Sequence, residues 1–275
     1  MKIGRQTIPH TAICTSDDET IVVRGADLCR ELIGHISFSD YFYLLVTGRR
    51  PSPAASRVVE ATLVAIAEHG LVPSVQAARM TLAAAPDALQ GAIAAGILGC
   101  GSVILGASET AGRLLVEVRE RATTARAEGK AAREVVSAWH SAGKVIPGYG
   151  HPLHKRRDPR VDALFNLARE AGADLSYVRI AEQLEKAIPA IVGKPLKLNV
   201  SAAIPAVLLG VEFPLTALKG IPILARAAGL IAHLNEELQS PSGFALSYQA
   251  TREVRYDGTT PKGVRLKAAR TRGGS

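Results

Sequence analysis

The stretch Val145–Arg160, VIPGYGHPLHKRRDPR, constrains this chain more than any other. It lies between two long regions of apolar, helix-patterned sequence and packs prolines, two glycines, two histidines, a lysine and three arginines. No hydrophobic core uses that mixture. Gly148 and Gly150 bracket Tyr149 and let the backbone approach a ligand with no Cβ in the way. Asp158–Pro159 reads as an N-cap followed by proline at the first helical position, which places Arg160 in a helix's opening turn. Exposed amides and the positive helix end favour an anion there, and Lys155, Arg156, Arg157 and Arg160 add full charges. The plainer reading is a glycine-rich connector with a solvated basic face. Histidines and glycines interleaved with the charges favour the anion site.

Alanine, leucine, valine and isoleucine dominate the 275 residues and aromatics make up 4%, which suits close helix packing better than a sandwich or barrel. Cys14, Cys29 and Cys100 are widely spaced and form no metal or redox pattern, so free thiols in a reducing, cytoplasmic compartment are expected. The start, MKIGRQTIPH, has no apolar run of signal-peptide type. Lys262, Arg265, Lys267, Arg270 and Arg272 account for five of the eight excess positive charges. They form a solvated basic tail, without the interleaved aromatics of a nucleic-acid binder. Ala88–Ala107 is uncharged and long enough to span a membrane, but it carries five glycines and a glutamine and lacks flanking aromatics. A buried central helix is the expectation, and neither membrane nor nucleic acid is expected as a partner.

Taken in order, Thr11–Gly25 alternates as a short β-hairpin, and Gly25–Leu28 opens a helix. Helical patterns follow over Phe38–Thr47, from Ser52–Pro53 to Gly70, and over Val75–Ala85, Asp87–Gly99, Gly106–Ala127 and Ala131–Gly143. Leu114, Leu115 and Val118 face inward. After the central stretch come Arg160–Gly172, Leu175–Ala187, Ala202–Leu209 and Ile223–Leu238. With no repeat and no linker, the fold class is mainly α with one short N-terminal hairpin.

GYGHPLHKRRDPR resembles the signature of the citrate synthase superfamily. AEHGLVPSVQAARM with APDALQGAIAAGI, PLKLNVSAAIPAVLLGVEF, RAAGLIAHLNEEL and RGADLCRELIGHISFSDYFYLLVTGRRPS resemble further family segments in the same order over residues 20–256. The shortness of the chain and the NVSAAIPAVLLGVEF segment are most similar to citryl-CoA lyases and the lyase module of ATP-citrate lyase. The resemblance implies a multi-helical two-domain fold: a large domain of 1–104 and 206–256, a small domain of 105–205, and a basic tail of 257–275. It also implies a homodimer or dimer of dimers.

The resemblance gives His69, His151, Arg160 and Arg226 to a citrate-like polycarboxylate, and Val145, Ile146, Pro147, Gly148, Tyr149, Gly150 and Asn199 to coenzyme A. These roles suit the ligand's chemistry, since several carboxylates need rigidly held guanidiniums. Histidine suits the hydroxyl, whose proton His151 takes as the carbon–carbon bond breaks. No metal and no permanently bound cofactor are implied; the coenzyme A thioester is substrate. Singly, each residue has a plainer reading. His69 before Gly70 reads as a helix C-cap, and Arg226 snorkels or pairs with Glu236 or Glu237. His140, His154 and His233 read as surface or supporting residues, and Arg252 and Arg255 receive no role.

Two departures from the family pattern stand out. A synthase histidine has Ile104 in its place, an absence shared by many of the lyases. The acid expected after Asn199-Val200 is Ser201, and a hydroxyl is a poor substitute for a carboxylate that moves a proton at the acetyl methyl. The resemblance therefore implies an enzyme cleaving citryl-CoA, or a related 3-hydroxy-3-carboxyacyl-CoA, to acetyl-CoA and oxaloacetate, with His151 and Ser201 at the catalytic positions. The alternative is a weakened homologue that binds coenzyme A and a polycarboxylate as a regulatory subunit.

Overall fold

A computed structural model describes residues 9–101, 107–150 and 157–264. Ile104, His151, His154, Lys155, Arg156 and the tail from residue 265 lie outside the described residues. The chain divides into two compact units, residues 1–66 with 105–222 and residues 67–104 with 223–275.

In the first unit, β1 (Cys14–Ser16), β2 (Ile21–Val23) and β3 (Ala26–Asp27) form an antiparallel sheet in that order. Cys14 lies opposite Val23, and Val22 opposite Asp27. The second turn consists of Arg24 and Gly25, both left-handed at φ 51° and 85°, as a two-residue hairpin loop requires. The hairpin expected over Thr11–Gly25 is present, but no helix opens at Gly25. Asp27 first pairs with Val22 and then caps one π-helical turn, Leu28–Leu32, by accepting from the amides of Cys29 and Arg30.

Ser37 Oγ accepts from the Asp40 amide to cap α1 (Phe38–Thr47), and left-handed Gly48 ends it. In α2 (Pro53–Ala67), Ser52 Oγ accepts from Ala55 N at 3.1 Å, the cap that Ser52–Pro53 predicts. The helix stops at Ala67, short of the expected Gly70. There follow α5 (Ala107–Arg121), α6 (Glu128–Ser141), α7 (Pro159–Glu170), α8 (Ser176–Val192) and α9 (Val200–Leu209). Leu114, Leu115 and Val118 are fully buried, as their spacing predicts. Every residue of α9 from Ala202 to Leu208 is buried, and α5, α7 and α8 pack on it. A helix apolar all round belongs in the middle of a unit, and α9 takes that place.

The second unit contains α3 (Pro73–Ala84), α4 (Leu89–Leu98), most of α10 (Gly220–Gln239) and α11 (Gly243–Glu253). Val75, Ala78, Leu82, Ala92, Leu230 and Leu234 form its core. The helix expected over Asp87–Gly99 forms as α4, but within it only Ala92 and Gly96 are buried, so it is not the buried central helix expected of this apolar run. α4 ends at Leu98, a residue 85% exposed, and α5 is described from Ala107. An uncharged composition does not fix helix length, and Gly99 and Gly101 are poor helix formers. Among the described residues, Leu215–Gln239 is the helical stretch long and apolar enough to cross a membrane by length and composition. Within it, however, Glu237 is nearly fully buried and bound to protein on every side.

Glu237 ties α3, α10 and α11 together. Its Oε1 accepts from the amides of Ser242 and Gly243, at 2.8 and 2.6 Å, which are orphan donors at the start of α11. Its Oε2 accepts from Ser242 Oγ at 2.7 Å and from Arg79 Nη1 of α3 at 3.0 Å. Sequence patterning did not indicate α11, whose start depends on this carboxylate from another helix. Truncation in Glu237→Ala leaves the Arg79 guanidinium buried without this partner. It should lower stability by about 3–5 kcal/mol, read as a shifted urea midpoint, whereas a change below about 1 kcal/mol would contradict this role.

Candidate active site

Two segments meet at the N-terminus of α9 in the first unit. Gly150 N donates to Lys197 O at 2.7 Å, Asn199 N to Gly148 O at 2.9 Å, and Tyr149 bridges Leu198 in antiparallel fashion. Asn199 locks this pairing. Its Oδ1 caps α9 by accepting from Ser201 N at 2.9 Å, and its Nδ2 donates to Gly150 O at 2.6 Å. Gly148 is left-handed at φ 84°, and a Cβ there would lie 2.8 Å from Ala202 N and 2.9 Å from its Cα. The room left by the missing side chain is therefore filled by α9. The glycine lets two backbones of this chain touch.

The residues that the resemblance assigns to coenzyme A divide by exposure. Val145 is 84% exposed, whereas Ile146 and Tyr149 are buried. Tyr149 Oη donates to Ala181 O at 2.8 Å. Burial above all, then the charge of Glu185, raises its hydroxyl far above the ordinary tyrosine range, against a smaller pull from Arg157.

Asp158 caps α7 as predicted, accepting from Arg160 N at 3.0 Å. It also accepts from Arg160 Nε at 3.1 Å and Nη2 at 2.8 Å, a two-pronged grip on the guanidinium. Its Oδ2 lies 3.4 Å from Val200 N in the first turn of α9. Burial pushes the Asp158 carboxyl up, but the hydrogen bonds and charge of Arg160, with the Val200 amide, outweigh it and hold it below the usual range. The anion expected at the start of α7 is thus supplied by the chain itself. Arg157 is engaged as well, 3.2 Å from Asp162 Oδ1 and stacked over Phe165. Ser201, half-buried beside this carboxylate's contact with Val200, makes no hydrogen bond through its hydroxyl among the described residues.

His69 and Arg226 belong to the second unit. α2 ends at Ala67, and Glu68 Oε1 accepts from the amide of His69 at 2.8 Å and from that of Gly70. Arg226 is 3% exposed, and its Nε and Nη1 are buried with no hydrogen-bond partner among the described residues. The carboxylates considered as its partners, Glu236 and Glu237, both bind Arg79. Arg226 acts electrostatically on the buried Cys100 thiol, which burial raises most, against smaller pulls from Ser74 and Arg226. Ser74, beside that thiol and 1% exposed, has no well-formed hydrogen bond through its hydroxyl.

The structure therefore brings Val145–Gly150, Asn199, Ser201 and Arg160 together in one unit, and His69 and Arg226 in the other. Sequence reasoning missed Arg79, Glu68 and Ser74. A lone arginine within the apolar run VQAARMTLAA was the available signal for Arg79.

The family described as citrate synthase, C-terminal domain, matches residues 37–244. The chain belongs to this family. Its fold is similar to citryl-CoA lyase from Hydrogenobacter thermophilus, with a TM-score of 0.83 and 33% identity over 94% of this chain and 98% of that one. ATP citrate lyase from Methanothrix soehngenii shares the fold at a TM-score of 0.76 and 22% identity, over 96% of this chain and 44% of that one. Citrate synthase from Synechocystis sp. is 28% identical over 209 residues, 74% of this chain and 50% of that protein. The chain thus spans about half or less of the curated relatives first matched, down to 22% of a probable ATP-citrate synthase from Caenorhabditis elegans.

The carboxyls of Asp158 and Glu237 both lie below their ordinary values in the folded chain. In each, burial pushes upward and hydrogen-bond donors outweigh it. Such groups stabilise the fold in full above the unfolded values, 3.8 and 4.5, and lose that contribution as pH falls through the lower folded values. The melting temperature should hold from pH 7 to about pH 5 and drop below about pH 4.5. The Asp158→Asn protein should be less stable at neutral pH and lose less on acidification; parallel curves would contradict the assignment.

Proposed function

We propose that the chain is a carbon–carbon lyase of the citryl-CoA lyase type, cleaving citryl-CoA or a related 3-hydroxy-3-carboxyacyl-CoA. The observation that carries this reading is Arg226, a buried cation with two donors unpaired among the described residues, in a chain that matches a citryl-CoA lyase along nearly its whole length. A buried charge calls for a counter-charge, and a substrate carboxylate is the ligand chemistry that supplies one. In the reaction, His151 takes the proton of the tertiary hydroxyl and the C–O⁻ electrons form the oxaloacetate carbonyl. The breaking C–C bond leaves its electrons on the thioester enolate, and one proton completes the acetyl methyl. The family resemblance assigns His69 and Arg160 to the polycarboxylate and Val145–Gly150 with Asn199 to the coenzyme A, with no permanently bound cofactor.

A second reading rests on Ser201. Among the described residues no carboxylate or imidazole bonds its hydroxyl, and an unassisted hydroxyl cannot move the methyl proton efficiently. The chain is then a coenzyme A and polycarboxylate binding subunit with weak turnover. We also propose a homodimer, because α4 and α10 expose Leu98, Ile231 and Leu238, apolar surface of the kind that interfaces cover.

Oxaloacetate release from citryl-CoA, coupled to malate dehydrogenase and followed by NADH loss, separates the two readings. The lyase reading expects turnover by the unaltered protein, and no release at high enzyme concentration rejects it. The binding-subunit reading expects calorimetric binding of citrate and coenzyme A without turnover, with Ser201→Asp raising the rate by about 10²-fold or more. A monomer by light scattering of the same preparation rejects the dimer.

A further inference from the structure

A chain of polar side chains in the second unit runs from the start of α11 to the turn that carries His69. Arg79, 3% exposed, is anchored by Glu237 through Nη1 at 3.0 Å and by Glu236 through Nη2. Its Nη2 and Nε lie 2.9 and 3.3 Å from His233 Nδ1. A guanidinium has no acceptor, so His233 Nδ1 accepts and the ring proton resides on Nε2. That nitrogen lies 2.9 Å from Glu68 Oε2, off the line of an ideal hydrogen bond. The other Glu68 oxygen accepts from the amides of His69 and Gly70, where Gly70 turns the chain in the left-handed region at φ 68°.

Glu68 is 52% exposed on its side chain. A carboxylate so placed is free to face water, yet donors from a ring and two amides converge on it. Burial pushes its carboxyl up, but the contact with His233 and then the two amides hold it below the ordinary value. The backbone between α2 and α3 is thereby fastened to α10 through two side chains of fixed donor and acceptor sense.

We infer that Arg79, His233 and Glu68 are positioning residues that fix the turn carrying His69 and, through it, the affinity for a citrate-like polycarboxylate. The first half of this inference stands on the hydrogen bonds alone; the second rests on the proposed function.

Hydrogen exchange at the amides of His69 and Gly70, read by NMR on the ¹⁵N-labelled full chain, tests the first half, and calorimetry with citrate tests the second. His233→Leu should speed exchange at both amides and weaken citrate binding by about 10-fold, the size of effect seen when an outer partner of a ligand-holding side chain is removed. His233→Gln, which keeps one donor and one acceptor, should recover most of both. Should His233→Leu fail to fold, Glu68→Ala, at a half-exposed position, should give the same pair of changes. Unchanged exchange in the folded variants overturns the relay. Faster exchange with unweakened citrate binding overturns the positioning role. Absence of citrate binding by the unaltered protein overturns the proposed function instead, and the exchange measurement still decides the relay.

Discussion

The proposed chemistry depends on one buried guanidinium, that of Arg226, which has no counter-charge among the described residues. Among the described residues, Arg79, Arg160 and Arg226 are wholly or mostly withdrawn from water, as is Arg157, and their surroundings differ. Arg79 meets Glu237 and Glu236, and Arg160 is gripped by Asp158. Arg226 is as buried as Arg79, and no carboxylate of the described chain reaches its Nε or Nη1. Taking a guanidinium out of water costs several kcal/mol unless another charge offsets it. Arg157, whose Nε and Nη2 also lack hydrogen bonds, still has Asp162 beside it, so Arg226 is the group to which the proposed substrate would bring a counter-charge.

Much of the architecture was legible because it follows from local chemistry. Ser52–Pro53 and Asp158–Pro159 start α2 and α7 because a short polar side chain and a preset proline φ suit the first turn whatever lies elsewhere. The inward faces of Leu114, Leu115 and Val118 follow from helical spacing. What stayed hidden is nonlocal. Arg79 and Glu237 are 158 residues apart, and no pattern within either segment names the other. Both Ala88–Ala107 and α9 are apolar all round, and only tertiary packing decides that α9 is enclosed while α4 ends with Leu98 in solvent.

The candidate site shows the same division. The residue types around Val145–Arg160 announced an anion and a close backbone approach, and both are present in a form the sequence did not reveal. The anion at the head of α7 is Asp158, and the backbone that approaches Gly148 is α9. Asn199 links the two by capping α9 and holding Gly150. Gly148 and Arg160 thus have partners within the chain, whereas Arg226 Nε and Nη1 have none among the described residues. Ser201, one residue beyond Val200 and its contact with Asp158, marks where this helix end departs from the family's acid.

A crystal structure of the chain with citrate tests the proposed role of Arg226 most directly. The account predicts a citrate carboxylate about 2.7–2.9 Å from Arg226 Nε and Nη1, while Arg79 keeps Glu236 and Glu237. Citrate ordered elsewhere beside an Arg226 still unpaired, or an Arg226 turned onto a carboxylate of its own chain, would contradict it.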